Sequence, residues 1–180
     1  MKDEKNLFLI GPRHVGKSTI LSAALERVSV PVGGFHVDRV YEGRRLRAFC
    51  LVDLMSGDSA IIASARKGGW DVHVEGFETV GAEAIRRAMS SARLIVMDEL
   101  GRFELRATMF REAVMEALSS PIPVVGVLKA DGNPFLDAIR VREDTVTVEV
   151  TPSNRGEVAL RLNKWLISSQ CLEEGQIPPS

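Results

Sequence analysis

Residues Gly11-Pro12-Arg13-His14-Val15-Gly16-Lys17-Ser18 spell Gly-x-x-x-x-Gly-Lys-Ser/Thr, and Thr19 follows. The chemistry this pattern serves is phosphate binding. Its glycines let backbone N–H groups converge on an anion, and a helix opening at Lys17, Ser18 and Thr19 adds the positive end of its dipole. Lys17 has the reach and charge for β- and γ-phosphate oxygens, and the Ser18 hydroxyl suits Mg²⁺. The residues expected around a nucleotide are therefore Gly11, Pro12, Arg13, His14, Val15, Gly16, Lys17, Ser18 and Thr19. Within that set the Arg13 side chain reads as solvated in preference to phosphate-bound, and His14 as a loop residue in preference to a general base. The fixed letters alone are shared by many chains. The apolar run Leu7–Ile10 directly before them, and the helical pattern after, give the strand–turn–helix context that makes the reading specific.

A second constellation is Arg93-Leu94-Ile95-Val96-Met97-Asp98-Glu99. Four apolar residues predict a buried central strand whose end brings Asp98 beside the phosphate loop. A carboxylate there holds Mg²⁺ directly or through water. Glu99 points elsewhere and is the candidate general base for an attacking water. Its plainer role is to order the loop by ion pairing. Asp98-Glu99-Leu100-Gly101 also spells Asp-x-x-Gly, the pattern with which switch GTPases sense a γ-phosphate. A guanine reader adds Asn-Lys-x-Asp after a later strand. Here Leu128-Lys129-Ala130-Asp131 keeps the lysine and the aspartate and lacks the asparagine. His36 and His73 each precede a carboxylate by two residues, Asp38 and Glu75, a spacing that does not make a metal site.

The elements that must position these groups follow from hydrophobic period. A helix is expected from about Gly16 to Arg27. Phe35–Tyr41 and Leu46–Leu54 form a hairpin about Glu42-Gly43, and Ser59–Ser64 adds a short strand. Gly68-Gly69 interrupts the pattern, and Val72–Val74 resumes it. Val80 to Met89 reads as helix, Leu94–Met97 as strand, Leu105–Leu118 as helix and Val124–Leu128 as strand. Asp131-Gly132-Asn133-Pro134 reads as a loop, Val146–Val150 as a strand, and Val158, Leu162, Trp165 and Leu166 stripe a last helix. Alternating strands and helices, with nearly all-apolar strands, predict an α/β fold. Its central sheet is mostly parallel with helices on both faces, and the early antiparallel hairpin either extends the sheet or forms a flap. At 180 residues the chain reads as one domain over 1–172, with a loose tail at 173–180.

A hydrophobic content of 45% is ordinary, and a net charge of −1 argues against a nucleic-acid surface. Cys50 and Cys171 follow no ligand spacing and suggest no disulfide scaffold. The N-terminal apolar run is too short for a signal peptide, and none approaches a membrane span. A cytoplasmic protein without membrane attachment is expected, with its protein partners unspecified and a monomer or weak oligomer as the assembly.

The chain resembles the small nucleoside-triphosphatase family first described from thermophiles, also called the cancer-related nucleoside-triphosphatase family. Four blocks carry the resemblance: GPRHVGKST at Gly11–Thr19, GGFHVDRVYEG at Gly33–Gly43, MDELGRFEL at Met97–Leu105 and TPSNRGEV at Thr151–Val158. The third block, with the Asn-Arg of the fourth, is the specific part. The resemblance implies a single P-loop domain. It also implies Mg²⁺-dependent hydrolysis of nucleoside triphosphates, with broad base use covering ATP, GTP, CTP and UTP. It gives Lys17 and Ser18 the phosphate and metal roles, Asp98 the metal role and Glu99 the water-activating role. Arg102 stands where lysine is usual, Glu104 matches the second glutamate, and Ala48 replaces a glycine before Phe49.

Two other functions share these motifs. A nucleotide or nucleoside kinase would need an acceptor pocket and an arginine-rich lid, to which Arg44, Arg45, Arg47 and Arg66 could belong, although hairpin-tip solubility explains them more simply. A nucleotide-controlled binding switch would need a protein partner. For hydrolysis itself, Arg102 or Arg106, just past the carboxylates, is placed to act as an internal arginine finger, with surface ion pairing to Glu99, Glu104 or Glu112 as the plainer role.

Overall fold

The computed structural model describes residues 4–171. The chain runs β1 (Asn6–Ile10), α1 (Lys17–Leu25), β2 (Val32–Glu42), β3 (Arg45–Asp53), β4 (Ser59–Arg66) and β5 (Gly69–Val72). It continues with α2 (Val74–Gly76), a π-helical turn (Phe77–Gly81), α3 (Ala82–Ser91), β6 (Leu94–Leu100) and a 3₁₀ turn (Phe103–Arg106). Then come α4 (Thr108–Ser119), β7 (Val124–Leu128), α5 (Pro134–Arg140), β8 (Thr145–Glu149) and α6 (Arg155–Ser168).

All eight strands join one sheet in the order β5-β4-β3-β2-β6-β7-β1-β8. The pairs from β2 through β6, β7 and β1 to β8 are parallel. The pairs from β2 out to β5 are antiparallel. The expected hairpin therefore extends the sheet, and as a four-stranded meander. The expected tail at 173–180 lies outside the described residues.

Side chains alternate across the sheet and fill two cores. Leu7, Leu9, Val125 and Val127 face a core closed by α1 and α6 through Leu21, Leu162 and Leu166. Phe8, Phe35, Ile95 and Met97 face the other, closed by α3, α4 and α5 through Ile85, Phe110 and Leu136. Strands covered on both faces must be apolar on both, which is why β1, β6 and β7 read as unbroken hydrophobic runs.

Four elements differ from expectation. The sequence predicts a loop up to Pro134 and no element over 135–140, where α5 lies. The helix is seven residues long, too short to show a period, and Asn133 and Pro134 begin it: the Asn133 side chain accepts from the Leu136 N–H at 2.9 Å. β6 runs on past Met97 to Leu100. The helix expected from Leu105 begins at Thr108, after the 3₁₀ turn. Strand β5 begins at Gly69 and ends at Val72, and Val74 already starts helix.

Candidate active site

The phosphate loop links the end of β1 to α1. Gly11 (φ 140°) and Gly16 (φ 100°) adopt conformations that L side chains rarely take, and His14 (φ 60°) is left-handed as well. A Cβ on Gly11 would collide with the Val150 carbonyl, and one on Gly16 would lie 2.9 Å from Arg155 Nη2. The loop is thus backed by the segment between β8 and α6. That segment is tied by Asn154, whose Oδ1 accepts from the Thr151 N–H at 2.8 Å and whose Nδ2 donates to the Glu149 carbonyl at 2.9 Å. The Asn-Arg block therefore braces the loop from behind. No side chain caps α1, so its first-turn amides keep their donors for an anion. Lys17 Nζ turns back to donate to the Gly11 and Pro12 carbonyls, at 2.8 and 2.7 Å. Burial lowers its pKa, Glu99 and Asp98 oppose that shift, and Arg39 and Lys129 add to it.

Sheet register brings Asp98 to Ser18. Leu9 of β1, Val127 of β7, Asp98 of β6 and His36 of β2 are successive partners in one row across the sheet. Asp98 thereby sits level with the last residues of β1, at the carboxyl ends of the parallel strands, where α/β sheets bind ligands. Ser18 Oγ donates to Asp98 Oδ1 at 3.0 Å. Burial pushes the Asp98 carboxyl up to about 6, with the neighbouring Glu99 adding to the rise and the Ser18 hydrogen bond opposing it. A desolvated carboxylate beside a hydroxyl, with no cation bonded to it, is a donor set that fits a hard divalent ion. Among the described residues no cluster of three or more His, Cys, Asp or Glu forms a metal cage. That suits an ion shared between one carboxylate, one hydroxyl and substrate phosphates.

The β6–β7 register shifts between Asp98 and Leu100, leaving Glu99 as the additional residue. A bulge re-aims a side chain, and Glu99 lines the cleft instead of entering either core. Its Oε1 lies 3.3 Å from Lys129 Nζ. Lys129 is held over Phe103 (5.3 Å to the ring centre) and Phe49 (5.9 Å). Its stem passes over Gly101, where a Cβ would sit 2.8 Å from Lys129 Cδ. The Gly101 N–H donates to Glu104 Oε1, and burial raises the pKa of that carboxyl. Gly101 thus makes room for Lys129, and its amide is committed.

These groups surround a cleft of about 610 Å³ floored by the phosphate loop. Two cross-strand pairs of the meander, Arg39–Phe49 and Tyr41–Leu46, line it from one side, and Lys129, Ala130 and Asp131 from another. Gly11 to Thr19, apart from the buried Val15, all border it. Arg102 does not: it is exposed, its guanidinium 5.3 Å from the Phe103 ring centre, and Arg106 is exposed at the end of the 3₁₀ turn. The surface ion pairs expected of these arginines are replaced by Glu99–Lys129 and Glu104–Gly101. The cation that sequence reasoning left unassigned is Arg39, which makes no ion pair or side-chain hydrogen bond among the described residues and acts on Lys17 through space. It lies within the Gly33–Gly43 block, where spacing alone gives it no role. His73, bonded to Ser64 at 2.8 Å, lies by β5 at the far sheet edge.

Among the described residues, no helix is long and apolar enough to cross a membrane. The family model described as NTPase matches residues 6–162. A nucleoside-triphosphatase THEP1 of Thermofilum pendens is 35% identical, spanning 91% of this chain and 96% of its own. One from Thermotoga maritima is 30% identical over 84% and 90%. The solution structure of a human cancer-related nucleoside triphosphatase superposes with a TM-score of 0.76 at 30% identity, covering 91% of this chain and 98% of that one. The crystal structure of THEP1 from Aquifex aeolicus gives 0.74 at 26% identity, over 87% and 96%. The matched span takes in the phosphate loop, the carboxylate strand and the Asn-Arg block that braces them, and the chain belongs to the THEP1 nucleoside-triphosphatase family.

Proposed function

We propose that the protein hydrolyses nucleoside 5′-triphosphates to the diphosphate and phosphate with Mg²⁺, using ATP, GTP, CTP and UTP. The observation that carries this reading is the 3.0 Å contact between Ser18 and Asp98 at the mouth of the phosphate loop, with Glu99 in the same cleft. Lys17 exchanges its loop carbonyls for β- and γ-phosphate oxygens. Ser18 and Asp98 hold the Mg²⁺, which when bound neutralises charge on the phosphates. Glu99 orients a water against the γ-phosphorus and takes its proton. Arg39, in the cleft lining, stabilises charge on the γ-phosphate in this reading, in place of Arg102, which lies over Phe103 outside it.

Broad base use is favoured by the engagement of Lys129. A guanine reader needs this lysine along the base, and here it is held by Glu99, Phe49 and Phe103. A γ-phosphate switch at Gly101 is disfavoured because its amide is bonded to Glu104. Residues 1–172 act as one cytoplasmic nucleotide-binding domain in this reading, needing neither nucleic acid nor a membrane. Phosphate release from each of the four triphosphates, with Mg²⁺ and with EDTA, tests it. Release with Mg²⁺ from all four supports it. No release above the EDTA blank by folded protein removes it.

A further inference from the structure

Hydrolysis needs one cleft, and a second of nearly equal size adjoins it among the described residues. The second, of about 600 Å³, lies between α1 and β2 and joins the first across Ser18, Arg39, Tyr41, Phe49 and Glu99. Asp98 lines only the second, and Lys17 only the first. The second cleft therefore opens from the side of the metal pair and the candidate base, where a group attacking the γ-phosphorus must stand. Its inner wall is apolar, from Leu21, Leu25, Leu54 and Val96. Polar groups dot the wall: Ser22 on α1, and His36 with its Nε2 3.3 Å from Asp38 Oδ2. A cleft of several hundred cubic ångströms with one apolar wall and polar groups converging from the others is a form that small-molecule sites take.

Resting on the nucleotide reading above, we infer that this second cleft binds a phosphoryl acceptor, an uncharged hydroxyl-bearing molecule of nucleoside size. With Mg²⁺ held by Asp98 committed to the triphosphate, the lining has no cation to spare for an anionic acceptor. Asp38, Asp98 and Glu99 face it with Arg39 as the permanent cation, and Arg39 stands at the junction where the γ-phosphate itself requires it. Tyr41 and Phe49 bring aromatic side chains to the lining, and Ser22, His36 and Asp38 offer donors and acceptors for ring heteroatoms. In the reaction an acceptor hydroxyl oxygen attacks the γ-phosphorus. The bond from that phosphorus to the β,γ-bridging oxygen breaks, and the nucleoside diphosphate leaves with both electrons. The hydroxyl proton passes to the Glu99 carboxylate. The products are a phosphate monoester and the diphosphate. Hydrolysis is the same displacement with water in the acceptor's place, and a bound acceptor gains over water by being held in position.

The test incubates the full chain with ATP and Mg²⁺ and, separately, adenosine, guanosine, cytidine, uridine or thymidine, or the 5′-monophosphate of cytidine, uridine or thymidine. Mass spectrometry follows the phosphorylated product, and phosphate release is measured in the same tubes. Nucleoside binding is read independently by saturation-transfer NMR on enzyme loaded with a non-hydrolysable ATP analogue. The expected result is a monophosphate product from at least one nucleoside, with ADP formed about tenfold or more faster than with water alone. Leu54→Trp, which fills the apolar end, is expected to lower nucleoside phosphorylation at least tenfold while phosphate release into water stays within about twofold. Phosphate release with no monoester and no nucleoside binding overturns the acceptor site and leaves hydrolysis standing. Monoester formation without release into water supports the site and removes the hydrolytic reading instead. Phosphorylation of nucleoside monophosphates in preference to nucleosides overturns the uncharged acceptor.

Discussion

Glu99 and Lys129 are paired at 3.3 Å in the lining of the nucleotide cleft, one from β6 and the other from just beyond its neighbour β7. The pair orders the carboxylate while leaving it in the cleft lining. Glu99→Gln keeps the shape and a carbonyl for Lys129 but removes the proton acceptor. Triphosphate Kd is expected to stay within about threefold while kcat falls by about 10²–10⁴, the span of general-base contributions. A kcat near that of the unsubstituted protein would make Glu99 an anchor for Lys129 and nothing more.

Lys17→Ala separates binding from chemistry in the other direction. The ammonium now held by the Gly11 and Pro12 carbonyls carries the charge for the β- and γ-phosphates. A charge-assisted hydrogen bond is worth about 1.5–3 kcal/mol, so the Kd of a non-hydrolysable analogue is expected to rise about 10- to 100-fold. Isothermal titration calorimetry with Mg²⁺ present measures this. An unchanged Kd excludes the lysine from phosphate binding.

Arg39 and Arg102 make a paired test. Arg39 lines the cleft, and Arg102 lies against Phe103 on the surface. Arg39→Ala is expected to lower kcat by about 10³, the lower end for an arginine acting on a transferring phosphoryl group, and Arg102→Ala by under about twofold. The reverse order of effects would assign the role to Arg102.

Gly101→Ala places a methyl where the Lys129 stem now runs. The contact is with a flexible side chain, so thermal stability should drop by no more than about 1 kcal/mol. The cost falls on position: Lys129 must leave Glu99, and kcat is expected to drop at least about tenfold, for a displaced catalytic group. Melting and kcat measured on the same sample decide it. A kcat that tracks the melting loss alone would reduce Gly101 to packing.

Asp53 reports on the meander through pH. Burial alone would raise its carboxyl pKa. The amides of Met55 and Ser56, the Ser56 hydroxyl and Arg87 Nε, 3.1 Å away, more than offset burial and hold it below the ordinary 3.8. The folded-state value thus lies below the unfolded one. Its stabilisation is complete above the ordinary carboxyl range and is lost as pH falls through the depressed value. Urea unfolding of Asp53→Asn is expected to show a loss of about 1–3 kcal/mol at pH 7 and a shallower acid slope. A slope equal to that of the unsubstituted protein would place the acid sensitivity elsewhere.

What could be read in the sequence was chemistry carried by contiguous residues. The loop from Gly11 to Thr19 and the strand ending in Asp98 announce themselves because each needs its neighbours at fixed spacing. Arg39, Tyr41, Leu46 and Phe49 could not be read together, since they meet only through the β2–β3 register and through the placement of β2 beside β6. Asp-Glu-Leu-Gly was legible as a motif, but the use of its glycine was not: that depends on Lys129 arriving from β7. Helix α5 escaped because seven residues hold too few repeats to show a period, and its Asn-Pro start is also the spelling of a turn.

The roof of the nucleotide cleft is made of the same strands as the sheet beneath it. Arg39 and Phe49 line the cleft from β2 and β3, and β2 is zipped in parallel to β6 from Val32 to His36. A loop lid trades residues with its neighbours when it lengthens or shortens by one position. A strand does so only where a bulge absorbs the extra residue, as at Val40–Tyr41 and at Glu99; elsewhere a single insertion would turn Arg39 and Tyr41 to the opposite face together. Diversification of this pocket thus runs chiefly through exchanging one side chain for another at fixed places, which makes it a tractable scaffold for redesign by point substitution.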